Sequence, residues 1–84
     1  MKVAVDISLY PLDADYIPPI KDVIERFNSY DEIEVWTNAM STQLLGDYDA
    51  VMQALHKELG TTFENHPKAV FAIRILNNPI THNE

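Results

Sequence analysis

Val3-Ala4-Val5-Asp6-Ile7-Ser8-Leu9-Tyr10 alternates without a break. Val3, Val5, Ile7 and Leu9 form one apolar face, and Ala4, Asp6, Ser8 and Tyr10 form the other. Period two marks a β-strand, because successive side chains leave opposite faces. Here only one of the two faces belongs in a core. Pro11 ends the strand, having no N–H to give a ladder. This strand asks for a sheet with one face covered and one face open.

The covering follows in the chain. Ile17, Ile20, Val23, Ile24 and Phe27 recur at three- and four-residue spacing and predict a helix with one buried stripe. Pro18 and Pro19 suit its first turn, where missing N–H groups cost nothing. Asp13 and Asp15 offer capping oxygens before it. Residues 33–36 predict a short second strand. Thr37-Asn38-Ala39 predicts a tight turn, with Asn38 able to accept positive φ. Residues 40–45 predict a returning third strand, broken by Gly46. Asp47 then caps a second helix with the stripe Tyr48, Val51, Met52, Leu55 and Leu59, closed by Gly60. A polar connection over 61–68 leads to a last strand over 69–76, apolar on nearly both faces.

Strand, helix, strand, strand, helix, strand is an α+β class order. It is the ferredoxin-like βαββαβ sandwich, a four-stranded antiparallel sheet with two helices on one face. The expected domain spans residues 1–79, with a polar C-terminal tail over 80–84. Strands one and three are expected at the centre. The second sheet face then has no helix over it, and the apolar fourth strand sits at an edge. A wet patch of that kind invites association, so another subunit is expected to cover it.

Composition narrows the function. With 84 residues the core is modest, and with no cysteine there is no disulfide to supplement it. The chain carries 6 Lys plus Arg against 13 Asp plus Glu, a formal charge of −7. The scattered basic residues form no phosphate-neutralising patch, so nucleic acid and anionic membrane surfaces are not expected partners. There is no basic-then-apolar leader and no apolar run near the roughly 20 residues that cross a bilayer. The expected location is cytoplasmic.

Catalytic constellations are not visible. His56, His66 and His82 share no metal-ligand spacing, so no metal site is expected. Ser8, Ser29 and Ser41 lack a nucleophile elbow, and two glycines cannot build a phosphate loop. The acidic pairs Asp13/Asp15 and Asp47/Asp49 sit at helix starts, where they serve as caps. No catalytic residue and no cofactor is expected. An acylphosphatase-type site fails because the segment after Tyr10 is acidic. An RNA-recognition surface fails because the third strand has no aromatic residue.

One polar-aromatic cluster remains. Trp36, Asn38, Met40, Ser41, Thr42 and Gln43 gather an indole, amides, hydroxyls and a sulfur around the second hairpin. Asp6, Ser8 and Tyr10 join them if the first strand pairs with the third. Such a set suits a small heteroaromatic ligand, with Trp or Tyr for stacking and Asp6 to balance a cationic ring. These nine residues are the candidate ligand contacts. Which face of the third strand meets the ligand is left open.

The run Asp6-Ile7-Ser8-Leu9-Tyr10-Pro11-Leu12 resembles the opening strand of the thiamine-binding YkoF-like family (MTH1187-type, DUF77). Met40-Ser41-Thr42 followed by Leu44-Leu45-Gly46-Asp47 resembles that family's second-hairpin signature. The resemblance implies the ferredoxin-like fold and assembly into dimers or tetramers. It also implies binding of thiamine or its hydroxymethylpyrimidine moiety without catalysis, in thiamine salvage or sensing. Carried over by position, the matching residues are Ser8, Tyr10, Met40, Ser41, Thr42 and Gly46. Leu45 departs from the pattern, standing where relatives carry an acidic residue. The competing expectation is a regulatory or scaffolding module that binds another protein through the open sheet face.

Overall fold

Alternation at the N-terminus and most of the two helical stripes assemble as their patterns require, but Ile17 and Tyr48, at the first residue of each helix, stay exposed because they stand at the ends of the helices away from the packed centre. The computed structural model describes residues 1–79, so the anticipated tail and His82 lie outside the described residues. The elements are β1 (Lys2–Pro11), α1 (Ile17–Asn28), β2 (Ile33–Thr37), β3 (Thr42–Asp47), α2 (Tyr48–Asn65) and β4 (Ala69–Asn77). The sheet order is β2-β3-β1-β4, all antiparallel, with β1 and β3 central as anticipated. The fold is the α+β ferredoxin-like sandwich.

The core lies between this sheet and the two helices. Val3, Val5, Ile7 and Leu9 of β1 are buried with Leu44 of β3, Ile33 of β2, Val23 and Phe27 of α1, and Val51, Ala54 and Leu55 of α2. Burying each large aliphatic or aromatic side chain contributes about 1.5–3 kcal/mol. Ala4, Asp6, Ser8 and Tyr10 occupy the open face. Register puts Gln43, Leu45 and Trp36 on that face, with Val70, Ala72, Arg74 and Leu76 of β4. On β4, Val70 and Leu76 are about half exposed, and so is Ile75 on the opposite face.

Local expectations fail at four places, each for a physical reason. Gly46 does not break β3; it pairs with Val3 on one side and Ile33 on the other. A Cβ there would sit 3.1 Å from the Glu32 carbonyl oxygen and 3.2 Å from Val51 Cγ2, so glycine lets α2 and the α1–β2 loop close on the strand. Gly46→Ala should therefore cost about 1–3 kcal/mol by overpacking, read as a lower urea midpoint. An unchanged midpoint would show that the strand moves aside freely.

Gly60 does not end α2 either. The helix runs one and a half turns further, through Asn65, because Thr62 is buried against α1 and ties those residues to the core. Asp47 stands at the N-cap of α2 as anticipated, with Asp49 in the first turn, but neither helix has a side-chain cap hydrogen bond. Tyr16 is the N-cap of α1, Asp13 Oδ1 accepts the Asp15 N–H, and Asp47 Oδ1 accepts from the Met1 amine at 3.2 Å. Among the described non-glycine residues positive φ falls at Asn78, not at Asn38.

A polar cluster joins the helices. Arg26 Nε donates to Glu58 Oε1 at 2.6 Å, and Arg26 Nη2 donates to the Thr62 hydroxyl at 2.6 Å. Tyr30 donates its hydroxyl proton to Glu58 Oε2 at 2.5 Å, and Asp22 also pairs with Arg26. Burial, and then the Glu58 carboxylate, push the Tyr30 phenol up to about 12. A phenol whose folded value exceeds its unfolded value of about 10 stabilises the fold fully below pH 10. That contribution is lost as pH rises from 10 to 12. Tyr30→Phe should lose less stability than the wild type across this window, measured as melting temperature against pH. Equal slopes would place the lost stability elsewhere.

Candidate functional site

Antiparallel pairing between β1 and β3 stops at Ile7↔Thr42, whereas β1 stays paired with β4 as far as Pro11↔Ala69. Beyond Ile7 the hairpin therefore splays from β1 and leaves a cleft between Ser8–Tyr10 and residues 37–42. Helix α1 floors it. The volume is about 170 Å³. Sites for drug-sized ligands hold roughly 300–1,000 Å³. This cleft therefore fits a single substituted ring.

Its lining is mixed, with apolar Ile7 and Leu9 on β1 and Ala39 and Met40 on the hairpin beside the polar groups. Ile20, Val23, Ile24 and Phe27 come from α1, and Phe71 comes from β4. Thr37, Asn38, Ser41 and Thr42 come from the hairpin, with Ser8 and Tyr10 from β1. Hairpin shape is held by Asn38. Its Oδ1 accepts the N–H groups of Met40 and Ser41 at 2.8 and 3.1 Å, and its own N–H donates to the Ser41 carbonyl at 3.0 Å. Thr37 and Thr42 hydroxyls share a hydrogen bond of 3.1 Å. Ser8 Oγ donates to the Met40 carbonyl at 3.4 Å. Ser41 Oγ donates to Asp6 Oδ1 at 2.5 Å, and Arg74 donates to Asp6 Oδ2. The Ser41 hydroxyl, then the Arg74 guanidinium, hold the Asp6 carboxyl below its ordinary range.

Six of the nine anticipated residues line the cleft: Ser8, Tyr10, Asn38, Met40, Ser41 and Thr42. Thr42 is buried on the helix side of the sheet. Asp6 and Gln43 line a second depression, of about 330 Å³, on the open sheet face beside Arg74 and Leu76. Trp36 stands opposite Gln43 on that same face. Thr42 faces the helices and Gln43 faces away.

Sequence reasoning missed Ile20, Ile24, Phe27 and Phe71 as site walls, because an apolar stripe reads the same whether it meets a core or a ligand. It also missed Arg74 as the partner of Asp6. That pairing was recoverable only from register, since both positions lie on the open face of adjacent strands. Among the described residues no group of three metal-ligating side chains gathers. His56 is exposed on α2, and His66 caps its C-terminus. No described helix is long and apolar enough to cross a membrane.

The sequence profile of the YkoF-related family matches residues 2–76. The chain belongs to the YkoF-related family. The UPF0045 protein MJ1052 of Methanocaldococcus jannaschii is 34% identical over 76 residues, covering 88% of this chain and 75% of that protein. Its crystal structure superposes with a TM-score of 0.80 over 99% of this chain and 87% of that one, at 32% identity. A Thermotoga maritima protein, provisionally described as a thiamine biosynthesis/salvage protein, has a TM-score of 0.85 at 20% identity. That likeness covers 99% of this chain and 92% of the other. Streptococcus pneumoniae protein SP2199 gives 0.87 at 22% identity, over 95% and 90% of the two chains. The last two likenesses establish the fold alone; the family assignment rests on the profile match over residues 2–76.

Proposed function

We propose that this chain is a non-catalytic binding protein for thiamine or its hydroxymethylpyrimidine moiety, acting as a cytoplasmic homo-oligomer in thiamine salvage or sensing. The observation that carries the reading is the cleft itself. Apolar and aromatic side chains of α1 and β4 face a side that bears hydroxyls and an amide among apolar residues, and the volume suits one ring rather than two. Pyrimidine burial against Phe27 and Phe71 leaves a thiazolium outside, so the free hydroxymethylpyrimidine and the intact vitamin share the same contacts. The provisional description of the T. maritima protein points to the same chemistry.

Self-association is supported by β4. Nine residues long, it is an edge strand with Val70, Ile75 and Leu76 about half exposed. Exposed apolar edges of this length invite pairing. Sedimentation equilibrium should return a mass of two or four chains; a mass of one chain would remove the oligomer from the proposal.

Ligand binding is tested by thermal melting with thiamine, its phosphates and hydroxymethylpyrimidine. At 100 times its dissociation constant a ligand stabilises the fold by about 2.7 kcal/mol, which raises the melting temperature of a small domain by several degrees. No rise with any of these compounds would sink the thiamine reading and leave the open sheet face as a surface for another protein.

A further inference from the structure

Hydrogen-bond polarity at the two serines of the cleft is set by the protein before any ligand arrives. Ser8 and Ser41 both line the cleft, and both hydroxyl protons are already used. The Ser8 proton goes to a backbone carbonyl, which can only accept. The Ser41 proton goes to Asp6 Oδ1, and an ionised carboxylate likewise only accepts. Arg74 Nε and Nη2 donate to the other Asp6 oxygen at 3.1 and 2.8 Å, which keeps the carboxylate ionised and fixed in place. Its lowered pKa agrees. The serine pair therefore presents lone pairs alone. Thr37 and Thr42 spend one proton on each other, leaving a single threonine proton to a ligand.

From this arrangement we propose that Asp6 is a positioning residue for specificity: by taking the Ser41 proton, it makes the serine pair read a hydrogen-bond donor on the ligand and so select ring amines over ring carbonyls. The inference rests on the ligand reading above and adds to it the residue that selects the exocyclic amino group of that planar heteroaromatic. A carbonyl in the same place would set lone pairs against lone pairs, and a site built around one polarity rejects the other strongly. Asp6 itself lines the open face and not the cleft, so its effect reaches the ligand through Ser41. Arg74 brings β4 into the same chain of contacts.

Calorimetric titration of the intact chain with two probes tests this. One is 4-amino-5-hydroxymethyl-2-methylpyrimidine, and the other is its 4-oxo analogue. The wild type should prefer the amine by about tenfold or more. In Asp6→Asn, Arg74 retains the amide oxygen and turns the NH₂ toward Ser41. That frees the serine proton to point at the ligand. The preference should then fall to near parity. A merely structural role would weaken both probes together and leave their ratio unchanged. If Asp6→Asn does not fold, Ser41→Ala supplies the same comparison, with the amine preference lost. Equal binding of both probes to the wild type, or an unchanged ratio in the variants, overturns the inference and leaves the ligand reading standing. No binding of either probe to the wild type overturns both.

Discussion

Glu58→Ala is expected to lower the unfolding free energy by about 3 kcal/mol, toward the lower end of the roughly 3–5 kcal/mol for breaking a buried ion pair. Glu58 is 4% exposed and accepts from both Arg26 and Tyr30. Its removal strands a guanidinium and a phenol between two helices. Arg26 keeps Asp22 and the Thr62 hydroxyl as partners, and its side chain is 21% exposed, which is why the loss stays at the lower end. Against a total of about 5–15 kcal/mol, such a loss leaves a marginal fold. The double variant Arg26→Met, Glu58→Met should lose less than the sum of its singles, because no buried charge is left alone. Urea denaturation of the three variants measures this. Additive losses would mean that Arg26 and Glu58 act independently.

Phe27→Ala is expected to cost about 3–5 kcal/mol. The ring is 1% exposed, packs among the residues at the centre of the core, and also lines the cleft. Truncation opens a void that joins the existing 170 Å³ space. Water can then enter from the cleft, so the cost should settle near the lower end of the range. The midpoint of urea unfolding should fall with the slope unchanged, because the extent of surface exposed is unaltered. The same variant should bind a pyrimidine ring more weakly, because Phe71 is left as the aromatic side chain of the cleft. A loss below about 1 kcal/mol, the level of an ordinary substitution, would show that the core closes over the gap.

Much of the fold was legible because it is carried by period. Alternation over 3–10 and the helical stripes over 20–27 and 51–59 reflect which side chains must leave water, and that demand is local. Boundaries that depended on distant neighbours were not legible. Gly46 reads as a breaker, yet it stays in β3 because the Glu32 carbonyl and Val51 press against it. Gly60 reads as a helix end, yet α2 continues because Thr62 meets Arg26 from the other helix. Asn38 reads as a positive-φ turn residue, yet its side chain does the work by gathering two hairpin N–H groups.

The candidate site shows the same division. Its polar members were readable as residue types clustered near one hairpin, and six of the nine meet at the cleft. Their sorting into two faces required the register, since one step along a strand reverses every side chain. Local pattern alone therefore determined the element order, the buried face of β1 and the polar character of the second hairpin. The contact of Phe27 and Phe71 with that hairpin, the Arg26–Glu58–Tyr30 cluster and the Asp6–Arg74 pair came only with the tertiary arrangement. The Arg26–Glu58, Tyr30–Glu58 and Asp6–Arg74 contacts join residues 28 to 68 positions apart, and no local periodicity encodes which distant partner a side chain will meet.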